Sequence, residues 1–163
     1  MDLDLTPVTS DDVPALTALM RDAFDDSTRR HTDRERGGPP GYDDGTMLTQ
    51  YAVGNAAAWQ VREGGEPVAV LVTFRQDERR AHLGCLAVAV GHQRRGIGRR
   101  LLADLRARTP EVTTWTLETP EHETTNHRFY ESCGFVQVGA VPADPATGEP
   151  ALRRYRWDAA DPA

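Results

Sequence analysis

One stretch constrains this chain more than any other. An apolar run from Arg80 to Val90 is followed by Gly91-His92-Gln93-Arg94-Arg95-Gly96-Ile97-Gly98, and then by Leu101, Leu102 and Leu105 at helical spacing. A β-rich run, a glycine turn and an amphipathic helix in that order define a strand–loop–helix unit. Glycines in such a turn let the backbone come close to a ligand, and the free N–H groups at the start of the helix then face it. The chemistry is that of a cradle for a pyrophosphate. The motif is not a nucleotide-binding P-loop, because no Gly-Lys-Ser/Thr follows, and it lacks the third glycine of a dinucleotide fingerprint.

The rest of the chain surrounds this unit with alternating elements. Leu3 to Val8 reads as a strand. Thr9 and Asp12 are spaced as a capping box ahead of a helix carrying Val13, Leu16, Leu19, Met20 and Phe24. Residues 29–45 are polar and rich in Gly and Pro, so they form a long loop, for which a surface connection and a lid are both open. Thr46 to Tyr51 is a short helix. Ala57 to Glu63 and Pro67 to Arg75 are strands joined at Gly64-Gly65. Val112 to Thr119 is a strand, Asn126 to Cys133 a helix closed by Gly134, and Val136 to Val141 and Leu152 to Trp157 are the final strands. The last strand, with three Arg and three large apolar residues, reads as an edge or interface strand. At 163 residues the order gives one α/β (α+β mixed) domain spanning 1–163.

Charge narrows the partners. The net charge is −6, and all 19 basic residues are Arg. Residues 1–50 hold 11 acids and 5 bases, whereas Arg94 to Arg108 hold six Arg and one acid. An acidic chain with one local basic patch fits a single phosphorylated ligand better than a nucleic acid. No apolar run approaches the roughly 20 residues of a membrane span, and Met1-Asp2-Leu3-Asp4 does not open a signal peptide, so a cytoplasmic location is expected. Cys85 and Cys133 read as reduced thiols, and no metal site is expected: His122, between Glu121 and Glu123, reads as part of a solvated loop. His92 and His127 read as surface residues on the ligand side.

With these residues in view, Leu86 to Leu102 resembles the acetyl-CoA signature of the GCN5-related N-acetyltransferase (GNAT) superfamily. Asn126-His127-Arg128-Phe129-Tyr130-Glu131-Ser132-Cys133-Gly134-Phe135 resembles its second conserved block. The resemblance covers about 80–142 well, and residues 1–75 match in layout only. It implies a GNAT fold: a mixed, mostly antiparallel sheet of six to seven strands flanked by about four helices. Residues 80–142 would form the acetyl-CoA-binding and catalytic part, and 1–75 the acceptor side. It implies acetyl-CoA as co-substrate, without a metal. The N–H groups of Gln93, Arg94, Arg95, Gly96, Ile97, Gly98 and Arg99 would hold the pyrophosphate. Leu86, Ala87 and Val88 would align the pantetheine, with the Val88 N–H polarising the thioester, and Asn126 would contact the cofactor arm.

Tyr130 would donate a proton to the leaving thiolate. For the base, two groups stand out. His82 lies six residues before Val88, on an expected common face with Gly84, Leu86 and Val88, and Glu118 lies on the adjoining strand. The implied activity is direct acetyl transfer to the primary amine of a small molecule. Asp25, Asp26, Asp43 and Asp44 are candidates for attracting a cationic acceptor. The alternatives are a protein or peptide acceptor, or a non-catalytic acyl-CoA sensor. A homodimer is compatible with the resemblance, and a membrane or nucleic-acid partner is not expected.

Overall fold

The computed structural model describes residues 3–160; Met1 and Asp2, which bear on the signal-peptide reading, lie outside the described residues. The elements run β1 (Leu5–Pro7), α1 (Val13–His31), α2 (Thr46–Tyr51), β2 (Ala58–Glu63), β3 (Glu66–Arg75), β4 (Arg80–Val88), α3 (Ile97–Arg108), β5 (Thr114–Pro120), α4 (Thr124–Ser132), β6 (Val136–Val141) and β7 (Leu152–Asp158). The described strands form one seven-stranded sheet in the order β1-β2-β3-β4-β5-β7-β6. Among them only β4 and β5 pair in parallel. This is the mixed, mostly antiparallel sheet with four helices that the sequence implied.

β3 sits near the middle of the sheet, and its run Val68–Thr73 is buried on both faces. Within it, Val70 and Val72 pack with Leu16 and Met20 of α1 and Leu48 of α2. Its other face, through Ala69 and Leu71, packs with Ile97, Leu101 and Leu102 of α3. Two helical layers therefore cover opposite faces of β2–β4.

β4 carries the feature that the alternation of its sequence concealed. Val72 pairs with Cys85 and Thr73 with Leu83, so Gly84 is an extra residue, a β-bulge. The bulge reverses the side-chain alternation. Cys85 and Ala87 pack with α1, yet Ala81 and Leu83 pack in the same cluster as Leu86, on the α3–α4 face. His82 therefore does not share a face with Leu86 and Val88, as simple alternation implied. It faces the α1 side, opposite Phe74 in the ladder.

Two further expectations change. β7 is not an edge: it inserts between β5 and β6, and the edge is β6, which exposes Val136 and Val138. The β6–β7 hairpin folds back so that β7 pairs with β5 from Thr114↔Asp158 to Pro120↔Leu152. The long loop begins at Thr32, because α1 continues to His31, and it is packed down. Asp25, buried on α1, accepts the Tyr42 hydroxyl at 2.6 Å and the Gly37 N–H at 3.1 Å, and Arg36 lies 3.5 Å away. Gly38 lies against the Tyr42 ring, where a Cβ would come within 2.8 Å.

Burial alone would raise the Asp25 pKa, but the hydrogen bonds from Tyr42 and Gly37 and the charge of Arg36 outweigh it and hold the carboxyl below its ordinary value. Its unfolded value is the higher one, so its contribution is complete above that value and is lost as the pH falls through the folded one. Asp25→Asn should flatten the acid limb of the thermal-stability profile. Asp25→Ala, which strands the buried Tyr42 hydroxyl and the half-buried Gly37 N–H, should cost about 1–3 kcal/mol in denaturant titration.

Candidate active site

The turn after β4 is shaped by two left-handed residues, Arg94 (φ 61°) and Gly96 (φ 79°), the second at the N-cap of α3. Alternating left- and right-handed residues turn successive N–H groups toward one point, which makes an anion-binding nest at a helix N-terminus. The space a Cβ would take at Gly96 is open, with nothing within 4 Å. Gly98 has a different duty: a Cβ there would lie 3.0 Å from the Phe129 ring, so this glycine lets α3 approach α4. Arg99 reinforces that contact by donating to the Ser132 carbonyl and hydroxyl. Gln93 folds back and donates to the Val88 carbonyl at 3.0 Å. Arg95 turns outward to Glu63 at 3.8 Å, which also meets His92 at 3.1 Å.

β4 and β5 part company just before this turn. Among the described residues their last pair is Leu83↔Leu117, whereas β4 stays paired with β3 through Val88. The Ala89 N–H donates to the Val68 carbonyl at 2.9 Å. By the alternation of an antiparallel ladder, Ala87 and Ala89 then address β3, and the N–H groups of Leu86 and Val88 point into the gap toward β5. An open strand edge beside a nest of N–H groups is a binding strip for an extended, amide-bearing chain.

A cavity of about 320 Å³ runs along this strip. Leu86, Ala87 and Val88 form one wall; Gln93, Arg94, Gly96, Ile97, Gly98 and Arg99 form the cradle end; Asn126 and Tyr130 come from α4. Tyr130 is buried, within 5.1 Å of the Phe129 ring and 5.7 Å of the Phe135 ring by centroids. Its hydroxyl has no hydrogen bond among the described residues. Burial, and then the neighbouring Cys85 and Cys133, push the phenol above its ordinary value. Cys85 is itself pushed up to about 12 by burial, so at neutral pH both groups carry their protons. Asn126 reaches Thr119 at 3.4 Å. The chemistry of the turn and the open strand edge suits acetyl-CoA, whose pyrophosphate takes N–H donors and whose pantetheine arm carries amides.

The family comparison agrees with this geometry. Residues 17–135 match the family model described as acetyltransferase (GNAT) family. The chain belongs to the GNAT acetyltransferase family. It is an acetyl-CoA-dependent acetyltransferase, and among the described residues no cluster of three or more His, Cys, Asp or Glu could hold a metal. An acetyltransferase from Thermus thermophilus is 25% identical, with 98% of each chain covered and a TM-score of 0.71. The ribosomal-protein-S18-alanine N-acetyltransferase from Escherichia coli shares the fold at 18% identity, with a TM-score of 0.69 over 99% of this chain and 97% of that one. YjaB from Escherichia coli, in its apo form, does so at 17% identity, with a TM-score of 0.73 over 98% and 100%. No curated protein sequence matches the chain. Among the described residues no helix is long and apolar enough to cross a membrane.

Several residues that the sequence singled out stand elsewhere. His82 and Glu118 do not line the cavity. They sit side by side on the α1 face of β4 and β5, His82 opposite Thr116 with Nδ1 2.9 Å from its hydroxyl. Glu118 is the first β5 residue past the fork and receives Arg154 at 2.9 Å. His127 is buried rather than surface-lying, with Nε2 3.0 Å from the Pro120 carbonyl. The four aspartates proposed as amine attractors are engaged internally. Asp25 holds the loop, Asp26 meets Arg30 at 2.9 Å, Asp43 meets Arg36 at 3.7 Å, and Asp44 binds the N–H and hydroxyl of Thr46.

The residue that the sequence reading missed is Glu123. It is buried at the N-cap of α4, not solvated in a loop, and it lines the cavity. It accepts a hydrogen bond from Ser27 of α1 and lies 3.4 Å from His31 and 3.6 Å from His122. His31 continues the link to Thr125 at 2.9 Å. The cluster ties the end of α1 to the start of α4 across the cavity. Its only sequence signal is an acid immediately before the Thr124-Thr125 helix start.

Proposed function

We propose that this acetyltransferase moves the acetyl group directly to a primary amine of a small molecule, in the cytoplasm, with both substrates bound together. The observation that carries the reading is the open β4 edge. The N–H groups of Leu86 and Val88 face the gap beside a buried tyrosine whose hydroxyl has no partner among the described residues. In this reading the thioester carbonyl takes the Leu86 N–H, because Val88 stands five ladder positions, about 16 Å, from His82; charge develops there as the amine attacks. The amine nitrogen bonds to the acetyl carbon and gives up a proton. The carbon–sulfur bond breaks, and the sulfur takes the Tyr130 proton. Burial keeps the Tyr130 phenol protonated, so it has a proton to give as the thiolate leaves.

For the amine's proton we propose His82, reached directly or through water from the fork, with Glu118 supporting its charge. Burial lowers the His82 pKa below 6.5, and the Glu118 charge opposes that fall. His82 is therefore neutral and able to accept at pH 7. The acid limb of kcat/KM should lie below about pH 6.5. Glu118→Gln removes the opposing charge, so the limb should move to still lower pH. Comparing parent and variant with one amine cancels the acceptor's own titration. A limb that ignores Glu118→Gln and persists in His82→Gln removes both residues from this role.

Thiol release from acetyl-CoA across polyamines, aminoglycosides, amino acids, arylalkylamines and short peptides tests the function as a whole. Amine-dependent release establishes an enzyme and its acceptor class. Tight acetyl-CoA binding without release on any amine moves the protein to the sensor reading. A peptide acceptor is the second reading. It is favoured by one observation: the Gly-Pro loop is tied to α1 through Asp25 and Thr28 rather than standing free of it as a lid.

A further inference from the structure

We propose that the acceptor is a primary amine carried on a flat, apolar body, received on a shelf formed by Tyr51, Phe74, Gly84, His82 and Glu118 on the α1 side of the fork. This rests on the acetyltransferase reading above and names the class of its acceptor.

The shelf follows from the bulge. Gly84 points to the α1 face, because a Cβ there would lie 2.4 Å from Cε2 of Phe74. The Phe74 ring therefore lies where a side chain would otherwise stand, and the floor beside it is bare backbone, exposed to solvent. Tyr51, at the end of α2, meets Phe74 edge-on with ring centroids 5.7 Å apart. It is 42% exposed, one of four large apolar residues on the surface among the described residues. An aromatic pair with one open face is a surface for a flat ring.

The opposite side of the shelf is polar. Phe74 pairs with His82, and His82 with Thr116. Thr116 takes His82 Nδ1, and among the described residues the other ring nitrogen has no hydrogen-bond partner. Glu118 adds a carboxylate one position past the fork, shared with Arg154. Two strand spacings separate the β3 and β5 rows, or about 10 Å. That distance suits one ring and a short amine arm. It is too short for several residues of extended peptide laid across the strands. The amine would then lie at the fork, on the side of β4 from which the Leu86 N–H faces the gap.

Phenethylamine, butylamine, an aminoglycoside and a hexapeptide, each with acetyl-CoA, provide the test, using parent, Tyr51→Ala and Phe74→Leu. The shelf requires phenethylamine to have the highest kcat/KM. It also requires Tyr51→Ala to raise the KM for phenethylamine about tenfold, while the KM for acetyl-CoA and the kinetics of butylamine stay within about twofold. Equal use of all amines, preference for the aminoglycoside or the hexapeptide, or a Tyr51→Ala effect on acetyl-CoA overturns the shelf and leaves the enzyme reading standing. Calorimetric titration of phenethylamine into the CoA complex reads binding without turnover. Binding lost in Tyr51→Ala supports the shelf, and no binding to the parent overturns it. Absence of turnover on every amine sinks the acetyltransferase reading separately. Phe74→Leu keeps the core volume filled, so a folding defect in one variant does not mute the other.

Discussion

Tyr130→Phe should lower kcat by about a hundredfold to ten-thousandfold, the range for loss of a positioned general acid. The KM for acetyl-CoA should scarcely move. The substitution deletes one oxygen and nothing else, and the ring contacts with Phe129, Phe135 and Tyr155 remain. Because the hydroxyl has no hydrogen bond among the described residues, its removal strands no partner, and the midpoint of thermal unfolding should stay within a few degrees. Transfer from a thioester with a more acidic thiol should be hurt less, because its thiolate needs protonation less. That split distinguishes proton donation from packing: a packing defect would slow all thioesters alike and lower the melting temperature. Equal rates for Phe and Tyr would assign the thiolate's proton to water.

The contrast between what was legible in the sequence and what was not has a physical basis. Periodicity and turn chemistry are local, so the capping box at Thr9 and Asp12, the Gly64-Gly65 hairpin and the cradle at Gly96 could be read from neighbouring residues. All three are present. The bulge at Gly84 is not local in that sense. It exists only as a register between β3 and β4, and nothing in Leu83-Gly84-Cys85 announces it. Yet it turns His82 and Glu118 onto the face away from Leu86 and Val88. The position of β7 is likewise a property of pairing: a strand with alternating Arg and aromatic residues serves an edge or a half-exposed interior equally well. Glu123 was concealed because charge in a short loop is usually solvated, and only the arrival of α1, 96 residues away through Ser27, buries it.

Two halves of the chain thus divide the work. Under the proposed function, residues 80–135 carry the co-substrate features, and they announce them by motif. The N-terminal third supplies one wall of the cavity through Ala23, Phe24 and Ser27, with no motif at all. Two of its acids fix local structure, Asp25 holding the loop and Asp44 the start of α2.

Gly96→Val should separate binding of the co-substrate from the rest of the enzyme. At φ 79° a β-branched residue is strained, costing about 1–3 kcal/mol if the turn keeps its shape. If the turn instead relaxes, the N–H groups of Arg94 to Gly98 cease to converge. Each hydrogen bond to a charged group contributes about 1.5–3 kcal/mol, so losing one should raise the Kd for acetyl-CoA by roughly tenfold to a hundredfold. The new side chain would also occupy space that is open in the parent. Gly98→Ala makes the necessary contrast. Its backbone is ordinary, but its Cβ would press on Phe129 at 3.0 Å, so it should loosen the α3–α4 contact and lower stability more than affinity. Calorimetric titration with acetyl-CoA, alongside thermal unfolding of both variants, resolves the two effects. Unaltered affinity in Gly96→Val, with the protein folded, would remove the nest from pyrophosphate binding and leave the β4 edge to hold the co-substrate alone.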